Sequence, residues 1–210
     1  MKSYGQSCAL AKALDLIGDR WTLLIVRELM IREACRYTDL RTGLPGIATN
    51  LLAERLAGME RAGLATREEA PPPIATTLFR LTARGKELEP AIAALGRWGA
   101  PLLAGSAGDV FRDHWVVLPL RLYVRDRSPE ARPLRIGLRA GVEPVTLETV
   151  GDGSVRVRPG RPPDADARIE GAPHLILRLL TGKAGLAEAQ GKGLRFEGDR
   201  KALRRFGCRP

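Results

Sequence analysis

Over residues 8–31 the apolar positions Leu10, Leu14, Ile17, Trp21, Leu24, Ile25 and Leu29 recur in steps of three and four, the spacing of an amphipathic helix. Gly18 and Asp19 interrupt it, which predicts two helices meeting there with Asp19 as N-cap of the second. A short helix is predicted over 37–42, then a turn at Gly43-Leu44-Pro45-Gly46. Another helix follows over 47–62, with Ile47, Leu51, Leu52, Leu56 and Met59 on one face. Residues 64–68 and 76–82 have strand composition and flank Pro71, Pro72 and Pro73, so they predict a hairpin with an exposed tip. Thr82 then caps a helix reaching about residue 103, carrying Leu88, Ile92, Leu95, Trp98 and Leu102.

A different rhythm begins after Gly105-Ser106-Ala107-Gly108, which predicts a boundary between domains 1–105 and 106–210. Phe111, Trp115, Leu118 and Leu122 fall at helical steps with Pro119 inside them, so a kinked helix is expected. Strands are predicted over 132–139, 143–150, 154–158 and 165–170, the second and third joined through Gly151-Asp152-Gly153. A helix over 173–180, short elements at 186–190 and 194–197, and a helix over 199–206 complete the pattern. The fold class is α+β: a mostly helical first half with a two-stranded wing, then an α+β second half.

The length of 210 residues suits one large domain or two small ones. No apolar run approaches the roughly 18 residues of a membrane span, so no membrane insertion is expected. Residues 1–10 lack the apolar core of a secretory signal, which points to a cytoplasmic protein. Cys8, Cys35 and Cys208 are widely spaced, and His114 and His174 are the only histidines, so neither a disulfide scaffold nor a zinc site is expected. The net charge of +10 favours polyanionic partners. Residues 1–105 carry +3 of it and 106–210 carry +7, so bulk charge does not locate a nucleic-acid surface.

Helix, glycine-containing turn, helix and hairpin in that order present one helix N-terminus and one loop tip on the same side, as a major-groove reader with a wing does. With the apolar stripe assigned to the core, the first exposed turn carries Ala48, Thr49 and Asn50, followed by Ala53 and Glu54. Asn50 is the chain's single asparagine. Asparagine can bond adenine N6 and N7 together, threonine offers a hydroxyl or a methyl, and alanine can sit against a thymine methyl. Phosphates would fall to Arg32, Arg36, Arg41 and Arg55 around the helices and to Arg67 and Arg80 on the hairpin. Spacing alone leaves two readings open, a DNA-reading helix and a capped surface helix ringed by solvated arginines.

Residues 8–103 resemble the HxlR-type winged-helix transcription regulators, relatives of the MarR regulators. The resemblance rests on Cys8, on Ile17-Gly-Asp-Arg-Trp-Thr-Leu-Leu-Ile-Val-Arg-Glu-Leu29, on Tyr37-Thr-Asp-Leu40 and Leu44-Pro-Gly-Ile47. It continues through Leu52-Ala-Glu-Arg-Leu56, Ala62-Gly-Leu64, Leu81-Thr-Ala-Arg-Gly85 and Leu95-Gly-Arg-Trp-Gly99. It implies a homodimer whose first and last helices pair, with two recognition helices reading a pseudo-palindromic operator on double-stranded DNA. In some relatives a cysteine at the position of Cys8 is a redox sensor; the other reading of Cys8 is a small buried hydrophobe, and the sequence favours the second. Cys35 reads as core and Cys208 as exposed.

In the second half, Pro163-Asp-Ala-Asp-Ala-Arg-Ile-Glu-Gly171, His174-Leu-Ile-Leu-Arg-Leu-Leu180 and Gly191-Lys-Gly-Leu-Arg-Phe-Glu-Gly-Asp199 resemble the sterol carrier protein fold. That resemblance implies a sheet covered by helices around an apolar tunnel for a hydrophobic small-molecule effector. Candidate lining residues are Phe111, Trp115, Leu118, Leu122, Ile176, Leu179, Leu180 and Phe196, each of which equally suits a filled core. Catalytic motifs are missing: Gly151-Asp-Gly153 lacks the further glycine of a dinucleotide loop, Gly182-Lys183 is followed by alanine, and no Gly-x-Ser-x-Gly elbow occurs. His114 and His174 read as surface or capping residues, and Asp164 and Asp166 as solvent-facing. The expectation is a non-enzyme without cofactor or metal, a DNA-binding regulator. The alternative is a lipid carrier that uses its winged helix only for dimerisation or protein interaction.

Overall fold

The computed structural model describes residues 3–71, 75–105 and 109–208. The chain divides into two compact units, residues 1–110 and 111–210. The predicted break at 105–108 falls partly on residues 106–108, and the wing tip on 72–74, both outside the described residues.

In the first unit α1 (Ala9–Ile17) and α2 (Thr22–Arg32) are followed by β1 (Cys35–Arg36), α3 (Tyr37–Gly43) and α4 (Thr49–Arg61). Then come β2 (Ala65–Ala70), β3 (Thr76–Leu81), α5 (Ala83–Lys86), α6 (Glu89–Gly99) and a 3-10 turn (Ala100–Gly105). The sheet order is β1-β3-β2 with antiparallel pairing throughout. Ile25, Val26 and Leu29 of α2, Leu40 of α3 and Leu52, Leu56 and Met59 of α4 close the core. Each such side chain contributes about 1.5–3 kcal/mol by leaving water. Inside this core Glu28 is fully buried and accepts from Arg27 Nη2 at 2.8 Å and Nε at 3.1 Å. Its carboxylate rests where a Cβ on Gly43 would stand, so the end of α3 passes close to α2 because residue 43 has no side chain.

The structure departs from the sequence pattern in three places. Trp21, in the left-handed region at φ 81, is the N-cap of α2, whereas Asp19 turns its carboxylate to Arg55. β1 leaves no mark in the sequence, because two residues cannot display an alternation. The single long helix after Thr82 is three pieces: Pro90, which lacks the N–H that would continue α5, is accommodated in the first turn of α6, and α6 in turn tightens into the 3-10 turn at Ala100. Thr82 does cap as expected, its Oγ1 accepting from Gly85 N at 3.1 Å.

The second unit opens with a 3-10 turn (Asp113–Val116) and α7 (Val117–Tyr123). The strands β4 (Arg135–Arg139), β5 (Pro144–Thr149), β6 (Val155–Pro159) and β7 (Ala167–Glu170) follow. α8 (Pro173–Leu180), α9 (Leu186–Gly191), β8 (Arg195–Gly198) and α10 (Lys201–Arg204) end the unit. The sheet runs β6-β5-β4-β7-β8; β4 and β7 are parallel and the other pairs antiparallel. Alternation sends Ile136, Leu138, Val145, Leu147, Val155, Val157 and Ile169 into the core with Leu120, Ile176, Leu179, Leu180, Leu203 and Phe206. The kink expected at Pro119 is absent, because the helix starts at Val117 and a proline in the first turn displaces no intrahelical hydrogen bond.

Polar anchors replace several surface assignments. Asp166 accepts from Arg135 N at 2.8 Å and from Arg132 Nη2 at 2.5 Å, fixing the start of β7 instead of facing solvent. His114 is buried beside Trp115, and Cys208 is buried with its thiol donating to the Ala184 carbonyl at 3.5 Å. Most of the last turn hangs on Arg205, which grips the buried Asp126 carboxylate through Nε and Nη2 and also donates to the carbonyls of Ser128 and Arg132. Burial pushes the Asp126 carboxyl up, but hydrogen bonds from Arg205 and the Ser128 N–H, with the Arg205 charge, outweigh it and hold the group below the ordinary aspartate value.

A carboxyl depressed in the folded state stabilises fully above its unfolded pKa of about 3.9, and that stabilisation disappears as pH falls through the folded value. Urea unfolding of the second unit is therefore expected to lose midpoint steeply below about pH 4, and Asp126→Asn to flatten that acid limb. Arg205→Ala at pH 7 leaves a buried carboxylate uncompensated and should cost about 3–5 kcal/mol. An Arg205→Ala midpoint equal to wild type would contradict this role.

Candidate nucleic-acid interface

The turn before α4 is built from α3 outward. Asp39 accepts from Arg36 N at 2.9 Å to start α3, and Leu40 and Leu44 bury its inner side. The Trp21 ring lies beside Gly46, which turns the chain at φ 89. α4 then begins at Ala48 with no side-chain cap, so its first N–H groups are left for an outside acceptor. Tyr37, on α3, donates its hydroxyl to the Thr49 carbonyl at 2.6 Å and ties the two helices at this end.

Ala48, Thr49, Asn50 and Ala53 are all exposed: Asn50 lies opposite the buried stripe of Leu52, Leu56 and Met59, Ala53 to its side, and Ala48 and Thr49 at the N-terminal end of α4. The structure therefore brings the four predicted base-reading residues onto one accessible patch. The arginines divide. Arg36 and Arg41 are exposed near α3. Arg67 pairs with Glu60 at 3.4 Å and Arg80 with Glu68 at 3.3 Å; all four side chains are wholly or partly in water, so these pairs yield readily to a phosphate.

Arg55 and Arg32 depart from their predicted phosphate role. Arg55 donates to the Asp19 and Glu54 carboxylates at 3.0 Å and to the Arg20 carbonyl at 3.4 Å, which commits it to fastening α4 against the α1–α2 junction. Arg32 is half-buried at the end of α2, and its Nε meets no hydrogen-bond partner among the described residues. Sequence reasoning also passed over the acids of the wing. Glu68 and Glu69 stand on β2 beside Arg67, Glu69 accepting from Thr77 at 2.7 Å, so the wing is less basic than its arginines alone imply.

The thiols separate by burial. Cys8, at the N-cap of α1, is exposed, which corrects its assignment as a buried hydrophobe. Cys35 is fully buried, donates to the Glu28 carbonyl at 3.8 Å, and is pushed by burial to about 12. Cys208 is likewise raised by burial.

Of the residues predicted to line a tunnel, Leu118, Ile176, Leu179 and Leu180 are buried in the second unit's core, Trp115, Leu122 and Phe196 are half-buried, and Phe111 is exposed with its ring edge-on to Trp115 at 6.2 Å. The two grooves of this unit described below lie on the other face of its sheet and include none of the eight. Among the described residues no cluster of three His, Cys, Asp or Glu side chains is placed to hold a metal, and no helix is long and apolar enough to cross a membrane.

Comparison with known proteins bears on the first unit. A family model described as HxlR-like helix-turn-helix matches residues 16–106. An HTH-type transcriptional regulator of Synechocystis sp. is 32% identical over 99 residues, 47% of this chain and 73% of that protein. The HTH-type transcriptional regulator YvaP of Bacillus subtilis is 31% identical over 87 residues, 41% of this chain and 80% of the relative. Among solved structures, the reduced form of the transcriptional regulator YodB from B. subtilis is 27% identical, covering 45% of this chain and 92% of that one with a TM-score of 0.41. With 32% identity across 73% of the Synechocystis regulator and the family model matching its first unit, the chain belongs to the HxlR-like helix-turn-helix family of transcriptional regulators.

Proposed function

We propose that this protein is a homodimeric, sequence-specific regulator that reads a pseudo-palindromic operator on cytoplasmic double-stranded DNA through α4, and that it is not an enzyme. The observation that carries the reading is the patch of Ala48, Thr49, Asn50 and Ala53, exposed together and unencumbered at the start of α4. Asn50 pairs with an adenine edge, Thr49 and the alanines meet neighbouring bases, and Arg36, Arg41, Arg67 and Arg80 set the register on phosphates. The dimer is supported by apolar side chains left in water on α1, Leu10 and Leu14, and at the end of the unit, Leu95, Trp98 (77% exposed) and Leu102. Such a display marks a surface awaiting a partner, and a second copy offers the same display in return.

Operator affinity is then modulated by a hydrophobic effector in the second unit or by modification of Cys8. Either acts only by preferring one spacing of the paired α4 helices. The effector reading is supported by a five-stranded sheet with helices over one face, as the sterol-carrier resemblance implies. The same observation favours a second reading, a hydrophobic-ligand carrier whose winged helix serves dimerisation alone; that protein would bind native and scrambled duplexes alike.

On a duplex from the gene's own upstream region, the wild type should bind at least about 10³-fold tighter than on a scrambled duplex. Asn50→Ala should lose about 1–3 kcal/mol of that preference while non-specific binding holds. Arg80→Ala should weaken both duplexes and lower the salt slope by about one. Equal binding of the two duplexes by wild type would remove sequence-specific reading. For the thiols, a disulfide reagent should titrate Cys8 alone in the native protein, with Cys35 and Cys208 reacting only on unfolding. Protection of Cys8, or reaction of Cys35 in the native state, would contradict the sensor assignment.

A further inference from the structure

The sheet of the second unit buries one face and leaves the other open. The alternation that sends Ile136, Leu138, Leu147, Val157 and Ile169 inward sends Arg135, Arg139, Arg156, Arg158, Arg168 and Arg195 outward, accompanied by Glu148, Glu170 and Glu197. Arg135 and Arg158 share Glu148 at 3.0 Å each, and Arg139 stands 4.0 Å from Glu170. Arg156, Arg168 and Arg195 are exposed and form no ion pair among the described residues.

The chain between β6 and β7 crosses this open face. Pro162 is buried over Gly137, whose missing Cβ would stand 3.5 Å from the proline ring and 3.6 Å from the Arg168 stem. The crossing strap leaves a groove on each side. One, of about 410 Å³, is lined by Arg139, Arg161, Arg168 and Arg195 with Glu170 and Glu197. The other, of about 380 Å³, is lined by Arg135, Arg158, Arg161 and Glu148. Arg161, on the strap, faces both.

We infer that this open sheet face is a phosphate-binding surface for double-stranded DNA, engaged alongside α4 and independent of base sequence. The inference rests on the DNA reading proposed above. Guanidinium groups dominate the face, and their planar forks match phosphate oxygens. They are spread over four of the five strands, β4, β6, β7 and β8, neighbouring strands lying about 4.8 Å apart, instead of converging on one point, which suits a chain of phosphates better than a single anion. No aromatic side chain lines either groove, so the stacking platform on which single strands are held is missing. The duplex is the polyanion at hand, because binding by the first unit raises its effective concentration near the second. This also gives a use to the larger share of the net charge, which resides outside the DNA-reading half.

The test uses the full chain and a mixed-sequence duplex of about 40 bp, with binding followed by fluorescence anisotropy between about 50 and 200 mM salt. The triple variant Arg156→Gln, Arg168→Gln, Arg195→Gln keeps the side-chain stems and should lower the log–log salt slope by about 2–3, with at least tenfold weaker binding at the low-salt end. Lysine at the same three positions should restore the slope. Lys183→Ala with Lys201→Ala, in the turn after α8 and on α10, should leave it unchanged. An unchanged slope in the glutamine variant while wild type binds overturns the surface and leaves the α4 reading standing, whatever that variant does on heparin. An equal fall in the Lys183/Lys201 control also overturns it, reducing the effect to net charge. If the wild type binds no duplex at all, the DNA reading fails and this inference with it.

Discussion

The rotation of α4 about its own axis governs what the first unit can present. Leu52, Leu56 and Met59 form one apolar stripe, and each buried side chain contributes about 1.5–3 kcal/mol. Turning the helix by half a revolution would put those side chains in water and press Asn50 and Glu54 toward the core, where an unsatisfied polar group costs about 1–3 kcal/mol more. The outward facing of Ala48, Thr49, Asn50 and Ala53 therefore follows from packing and needs no ligand to hold it. Two further ties fix the helix against its neighbours, Tyr37 to the Thr49 carbonyl and Arg55 to Asp19 and the Arg20 carbonyl. Each is modest alone; together they couple α4 to α3 and to the end of α1.

That second coupling passes through a strained place. Trp21 holds φ 81, a conformation costing a bulky residue about 1–3 kcal/mol. The Trp21 ring lies beside Gly46 and beneath the Arg20 guanidinium, 5.7 Å from the ring centre, so the strain is retained by packing on the turn that leads into α4. α1 begins at Cys8, carries the exposed Leu10 and Leu14, and ends at this junction. In the proposed dimer a shift of α1, whether from a modified thiol or a repacked partner, would have a short physical route to α4.

What was legible in the sequence is what periodicity records. The stripe over 47–62, the wing strands, the helix at Pro173–Leu180 and the strands of the second unit all appeared at nearly their true places, because burial imposes a period of 3.6 or 2 on many residues at once. Features decided by one residue or by tertiary partners did not. β1 is two residues long and exists because Cys35 and Arg36 pair with β3. The breaks at Pro90 and the absence of one at Pro119 depend on where a helix starts, which the apolar pattern does not mark. In the site, side-chain type located Asn50 and its neighbours correctly on an exposed turn. It could not separate Arg55, spent on Asp19, from Arg41, which stands in solvent, because both are arginines near the same helix. Cys8 and Cys208 exchanged their expected environments because burial is set by tertiary partners: the Cys208 thiol meets the Ala184 carbonyl, whereas Cys8 stands exposed at the start of α1.

In the proposed complex two α4 helices, one from each protomer, lie in successive major grooves of one site. Hydroxyl-radical and methylation footprinting on the gene's upstream duplex tests it most directly. Two protected major-groove segments related by a dyad are expected, their centres separated by one helical turn of about 10 bp or a whole multiple of it. A single protected segment, or protection spread evenly along the fragment, would contradict it.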